Sequence, residues 1–294
     1  MIFIAESYSN LDGKFQDTQK SLIQNVENIS DGITYDELKM YFGEDYWVTD
    51  KICIKVPRIG DILEFGDSKF YSIVSTLCAN PTSFRLQLWK NNIDWNEISE
   101  FDLFSSIIKE LTPNETSLLF GNLNLSWFMS VYDKECDCKK LLYIPRNEQG
   151  GVDGSKIDES MFIDELIYTK IIKYIRDMFD IHPKVEKAKN KATKKAMIWE
   201  DEMNLQAEMQ KNKNRNSKKS FLLPLVSSMV NHPGFKYKID ELKDVNIVQF
   251  MDSVRRLQTY ESVTALMHGM YSGFLDTSKL NMQKDLNWLK DLNE

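Results

Sequence analysis

The residues best suited to chemistry are few, and their spacing assigns them no reaction. Cys136 and Cys138 flank one residue in the stretch ECDCKK. Two thiolates could hold a soft metal, but a zinc site takes four ligands and commonly spaces its cysteines Cys-x2-Cys. No second Cys or His pair lies nearby, so the two read as thiols at a hairpin tip. Cys53 and Cys78 lie in apolar stretches and read as small core residues. Of the histidines His182, His232 and His268, the first two precede proline, which pushes the backbone before it towards extended geometry. Without His-x3-His or HExxH spacing, helix-end or core roles are expected, with pairing to a carboxylate as the alternative. GGVDGS has the glycines of a phosphate loop but lacks the Lys-Ser/Thr that should follow, so it reads as a turn. Asp94, Glu97, Glu100 and Asp102 crowd one stretch, yet capping and solvated roles come first and no acid/base pair can be assigned. No catalytic, cofactor-binding or metal-ligating residue follows, no cofactor is implied, and an enzyme is not expected.

Composition narrows the class. With 294 residues, 42% of them hydrophobic, the chain has material for one large core or two smaller ones. Sixteen Phe, 12 Tyr and 6 Trp argue against disorder, and 13 Met suggest adaptable helical packing. The net charge of −7 makes non-specific nucleic-acid binding an unexpected default. MIFIAESYSN lacks the features of a secretory signal, and SFLLPLVSSMVNHPGF is too short and too polar to span a bilayer. A soluble protein of a reducing cytoplasm is the expectation.

The elements that would position these residues are mostly helical. Residues 1–150 read as an α+β domain with few strands. GITYDELKMYFG is a short helix stopped by Gly43, with Thr34 as cap and Glu37 three residues on. Ile52, Ile54 and Val56 alternate with polar neighbours as in a half-buried strand. Ile59, Ile62 and Phe65 fit a second strand or a short helix. Asp67 is placed to cap SKFYSIVSTLC, and Asn80-Pro81 to end that helix. Ser99 and Asp102 frame a helix with Phe101, Phe104, Ile107, Ile108 and Leu111 on one face. WFMSVYDKECDCKKLLYI reads as a β-hairpin. Residues 151–183 read as an amphipathic helix announced by Ser155 and Asp158, with Met161, Ile163, Ile167, Ile171, Ile175 and Met178 as its stripe.

Residues 184–219 form a basic connector, partly helical. Ten lysines and one arginine against four glutamates and one aspartate give it +6, leaving −13 for the rest. A nucleic-acid arm would interleave aromatics with the bases. Here the one aromatic, Trp199, sits beside Glu200, Asp201 and Glu202, so a solvated connector is the better reading. Within it Ile198, Leu205 and Met209 fall near one side. Residues 220–294 read as an all-helical domain. Its long central helix is capped by Asn246 with Gln249, runs through Ile247, Phe250, Met251, Val254 and Leu257, and stops at Gly273.

The blocks ICIKVPRIGDILEFGDSKFYSIVSTL, DWNEISEFDLFSSII, SLLFGNL and FLLPLVSSMVNHPGFKYKIDELKDVNIVQFMDSVRRLQ resemble a protein of tailed bacteriophages of Gram-positive hosts. The strand-then-helices opening and small helical C-terminal part are similar in style to tail assembly chaperones. That resemblance implies a non-enzymatic factor that binds the tape-measure protein and helps recruit tail-tube subunits in the host cytoplasm. It carries no signature residues. The chain is long for the short form of such a chaperone; its size fits the longer frameshifted or two-part form, or another tail or baseplate protein. A structural virion protein of the connector or baseplate, and a nucleic-acid-binding protein using the basic segment, are the alternatives. Phe250, Met251, Met267, Met270 and Tyr271 are the candidate partner contacts, for a partner helix laid in a groove. Their spacing equally suits a core stripe, and a homo-oligomer is compatible with this reading.

Overall fold

The computed structural model describes residues 34–133, 138–146, 158–213, 220–273, 278 and 280–289. They form a mostly helical α+β fold with two small antiparallel sheets. Helix α1 (Glu37–Phe42) precedes the two-stranded sheet of β1 (Tyr46–Trp47) and β2 (Cys53–Ile54). Helices α2 (Ile59–Phe65), α3 (Asp67–Cys78), α4 (Arg85–Lys90), α5 (Glu100–Glu110) and α6 (Pro113–Phe120) follow. A three-stranded sheet comes next, ordered β3 (Phe128–Asp133), β4 (Cys138–Tyr143), β5 (Phe162–Ile163). Then come α7 (Glu165–Phe179), α8 (Lys191–Lys213), α9 (Leu222–Val230), α10 (Ile247–Tyr271) and the short α11 (Met282–Asp285).

Most local signals lead to these elements. Ile52, Ile54 and Val56 are all buried, as period-2 alternation requires, although the paired strand itself covers only Cys53–Ile54. The open choice at Ile59–Phe65 resolves as a helix, with Ile59 and Ile62 in the core. Ser99 caps α5 by accepting from the Asp102 amide, and Phe101, Phe104 and Ile108 are buried. Gly43, at φ 76°, ends α1 in the left-handed conformation that glycine adopts without strain. Gly60 serves a different need: a Cβ there would lie 2.9 Å from the Lys243 carbonyl oxygen, so only glycine admits that approach.

Four local expectations are corrected. The cap of α1 is Asp36, whose carboxylate accepts from the Leu38 and Lys39 amides, and not Thr34. Asp67 is the first residue of α3, and its side chain turns away to accept from Ser220 Oγ and the Leu222 amide. The helix placed over 151–183 begins at Glu165, capped by Asp164. Met161 and Ile163 therefore belong elsewhere: Phe162–Ile163 is an edge strand, with Ile163 opposite Leu141 and both fully buried. Ser155 lies outside the described residues, and Asp158 pairs with Lys51. Cys138, read as a thiol, is disulfide-bonded, while Cys136 lies outside the described residues.

One large core gathers residues from Met40 to Val254, with α3 against α5 and α7, and α10 against α1 and α7. It runs across the positions where composition changes. The start of α10 is stitched to the stretch before α2: the Ile59 amide donates to the Val245 carbonyl, and the Ile247 amide to the Pro57 carbonyl. A second, smaller cluster holds Leu88, Trp95, Leu103, Ala188 and Ile198, and seats the first half of α8 on α4.

Candidate partner-binding surface

The five candidate contacts all lie on α10, at its two ends. Phe250 is fully buried, its ring edge-on to Phe235, and offers no surface to a partner. Met251 is half-buried and lines a pocket. Met267 is 37% exposed, Met270 half-buried and Tyr271 79% exposed. Sixteen residues of helix separate Met251 from Met267, roughly 24 Å of axial rise. They are two places, not one patch. Between them Tyr260 packs edge-on against Trp288, ring centroids 5.6 Å apart.

The pocket beside Met251 has a volume of about 300 Å³. Its apolar walls are Phe179 at the end of α7, Ile181 just after it, Phe221 before α9, and Met251. Tyr71 and Ser75, one turn apart on α3, also line it, and Asp180 lies at the rim. The Tyr71 hydroxyl oxygen is buried and has no hydrogen-bond partner among the described residues. Burial, with a contribution from the Asp67 charge, pushes its pKa up, so the phenol stays a neutral donor. Asp67 also fixes the rim. By holding both Ser220 and Leu222 it stands the Phe221 ring 4.4 Å from that of Tyr71. Desolvation raises the Asp67 pKa, but the hydrogen bonds from Ser220, Leu222, Ser68 and Phe221 outweigh it and leave the carboxyl below its ordinary value.

A second, polar cleft of about 510 Å³ separates α4 from α8. Arg85 dominates it. Nε and Nη2 donate to the two Asp201 oxygens at 2.5 and 2.6 Å, and Nη1 to Glu186 at 2.6 Å. The basic connector is thereby tied down at its start. Asn80 donates to the Lys184 carbonyl, Asn96 and Ala188 bond in both directions, and Lys194 pairs with Asp94. Beyond Glu202 the helix stands clear, every described side chain from Met203 to Gln210 being exposed. Of the three residues placed near one side of this helix, Ile198 is buried, but Leu205 and Met209 are exposed. Trp199, Met203, Leu205 and Met209 form an exposed apolar surface. What betrays it is composition, since α8 has too few apolar residues to bury both of its ends.

Among the described residues no group of three or more His, Cys, Asp and Glu could hold a metal ion. His182 lies 3.5 Å from Asp180, and His232 lies 3.7 Å from Glu261. No helix among the described residues is long and apolar enough to cross a membrane.

Residues 211–293 match a family model described as the YomV second domain, a phage-derived family. The matched segment contains α9, α10 and α11 and contributes Phe221 and Met251 to the apolar pocket. No curated protein and no solved structure matches the chain.

Proposed function

We propose that the chain is a non-enzymatic phage tail assembly factor that binds tail proteins, such as the tape-measure protein or tube subunits, in the host cytoplasm. The observation that carries this reading is the phage-derived match over 211–293, the segment that supplies the exposed Met267 and Tyr271 of α10. Exposed apolar side chains on a long helix suit the capture of another helix. Tape-measure proteins are long and helical, so partner and surface agree in kind.

The test is affinity capture with the tagged full chain in a lysate expressing neighbouring phage genes, followed by mass spectrometry with a nuclease-treated control. Recovery of a tape-measure-like or tube protein, unchanged by nuclease, supports the reading. Recovery of nucleic acid, or of partners lost on nuclease treatment, would move the function to the basic segment. Stoichiometric presence of the chain in purified particles would make it a structural virion component.

A further inference from the structure

Between α7 and α8 the chain runs over 181–188 without a helix, turn or bend, and three polar side chains hold it in place. Asn80, itself buried, donates to the Lys184 carbonyl at 2.9 Å. Thr82 Oγ1 accepts from the Glu186 amide at 3.0 Å and donates to the Glu186 carbonyl at 3.3 Å. Asn96 accepts from the Ala188 amide at 3.2 Å and donates to the Ala188 carbonyl at 2.7 Å. In an extended strand the N–H and C=O of one residue leave by the same edge, and those of the next residue by the opposite edge. Glu186 and Ala188 therefore turn their backbone groups inward, and Val185 and Lys187 turn theirs outward. Among the described residues neither the amide nor the carbonyl of Val185 or Lys187 has a hydrogen-bond partner. By the period of 2, the side chains of Val185, Lys187 and Lys189 share one face, and all three are exposed, Val185 to 63%.

We propose that the outer edge of residues 185–189 is a docking strand, to which a partner protein adds an extended acidic segment in antiparallel pairing. The backbone sets the form of the occupant. Outward donors and acceptors that repeat every second residue are what an added strand matches. Charge sets its composition. Glu186, the one acid of 184–189, is taken by Arg85 at 2.6 Å, whereas Lys187 and Lys189 form no ion pair among the described residues. Lysines on an edge keep unsuitable strands away. The same edge of a second copy would set lysine against lysine, and an apolar strand would leave both ammonium groups without a partner. A nucleic acid would engage the lysines but lacks the alternating donors and acceptors that the edge offers. In antiparallel register the fitting segment reads Glu-x-Glu-x-Val, with its acids opposite Lys189 and Lys187 and its valine opposite Val185. This edge is separate from the α10 contacts, stands independently of the tail-assembly reading, and is tested without a tail protein.

The test titrates the full chain with the peptide acetyl-Thr-Glu-Thr-Glu-Thr-Val-Thr-amide and follows the amide resonances of Val185 and Lys187. The peptide should shift both. In this register the donors of its second glutamate and its valine face the edge, so N-methylation of those two residues should weaken binding about 10-fold. N-methylation of the second and third threonines, whose donors face away, should leave it unchanged. Val185→Pro removes an amide that has no partner in the free chain, so Tm should hold while affinity falls about 5-fold. Lys187→Glu combined with Lys189→Glu leaves the backbone intact. It should weaken the acidic peptide about 3–10-fold and favour the counterpart in which lysine replaces both glutamates. The proposal falls if the peptide moves neither amide. It falls if the two N-methylated peptides bind equally, since charge alone would then hold the partner. It also falls if the double charge reversal leaves the preference for the acidic peptide in place.

Discussion

Helices α8 and α10 are nearly equal in length, 23 and 25 residues, and are held in opposite ways. At its start α10 sinks Ile247, Phe250 and Val254 into the main core. Each such side chain contributes about 1.5–3 kcal/mol when fully buried. Helix α8 buries Ile198 in the minor cluster and otherwise relies on Arg85 and Lys194 reaching Asp201 and Asp94. One helix is seated by apolar area, the other by a polar latch. Area resists salt and pH, whereas a latch of charges is sensitive to both.

The largest expected effect tests the seating of α10. Phe250→Ala should cost about 3–5 kcal/mol of global stability, read from urea unfolding, because it opens a cavity in the main core. Ile198→Ala deletes apolar atoms from the smaller cluster, and its expected cost is about 2–4 kcal/mol. It should also be confined, so that hydrogen exchange rises along α8 while the α10 amides keep their protection. If Ile198→Ala unprotects both helices equally, α8 is part of the same cooperative unit and the contrast collapses.

Next in size is the latch. Arg85 is largely buried and serves two carboxylates, so Arg85→Ala should cost about 1.5–3 kcal/mol and free α8 from α4. Arg85→Lys should not restore it, since an ammonium cannot match the bidentate fork to Asp201. Limited proteolysis within α8, compared between the two variants and wild type, reads the release directly. Rescue by lysine would mean that charge alone holds the helix and that the fork adds nothing.

Acid sharpens the same contrast. Desolvation raises the Asp94 pKa, but the Lys194 ammonium and the Asn96 amide outweigh it, leaving the carboxyl below the ordinary 3.8. The folded value is thus depressed relative to the unfolded one. The stabilisation it brings is complete above the unfolded pKa and is lost as pH falls through the folded one. Lowering pH through that window should raise exchange in α8, after correction for intrinsic rates. The first turns of α10, capped by the neutral Asn246, should not respond.

How far the sequence shows this arrangement differs between the two helices. The cap at Asn246 and the stop before Gly273 define α10 by spacing alone, and both stand in the structure. Spacing cannot say which end of so long a helix is covered, because covering residues such as Tyr41 lie far away in sequence. Spacing alone therefore groups the buried Phe250 with the exposed Tyr271. The false start placed at Ser155 and Asp158 has a related cause. The true cap, Asp164, has Ile167 three residues on and so no capping box, while Ile163, in a two-residue strand, stands at a helical interval before Ile167. The apolar pocket is not legible, since its lining comes from four segments that only the fold brings together.

The smallest effect concerns what fastens α10 besides its apolar face. Asn246 accepts from the Gln249 amide as cap, and its side-chain amide donates to the Tyr41 carbonyl at 3.0 Å, tying α10 to α1. Asn246→Ala removes both and should cost about 1–2 kcal/mol. Asn246→Ser keeps an oxygen able to cap but has no group long enough to reach Tyr41, so it should recover about half. The difference between the two variants in urea unfolding measures the tie to α1, and exchange along α1 should rise in both. Full recovery by serine would mean that the Tyr41 bond contributes nothing. The apolar face and the cap would then hold α10 by themselves, which is the sharpest form of its difference from α8.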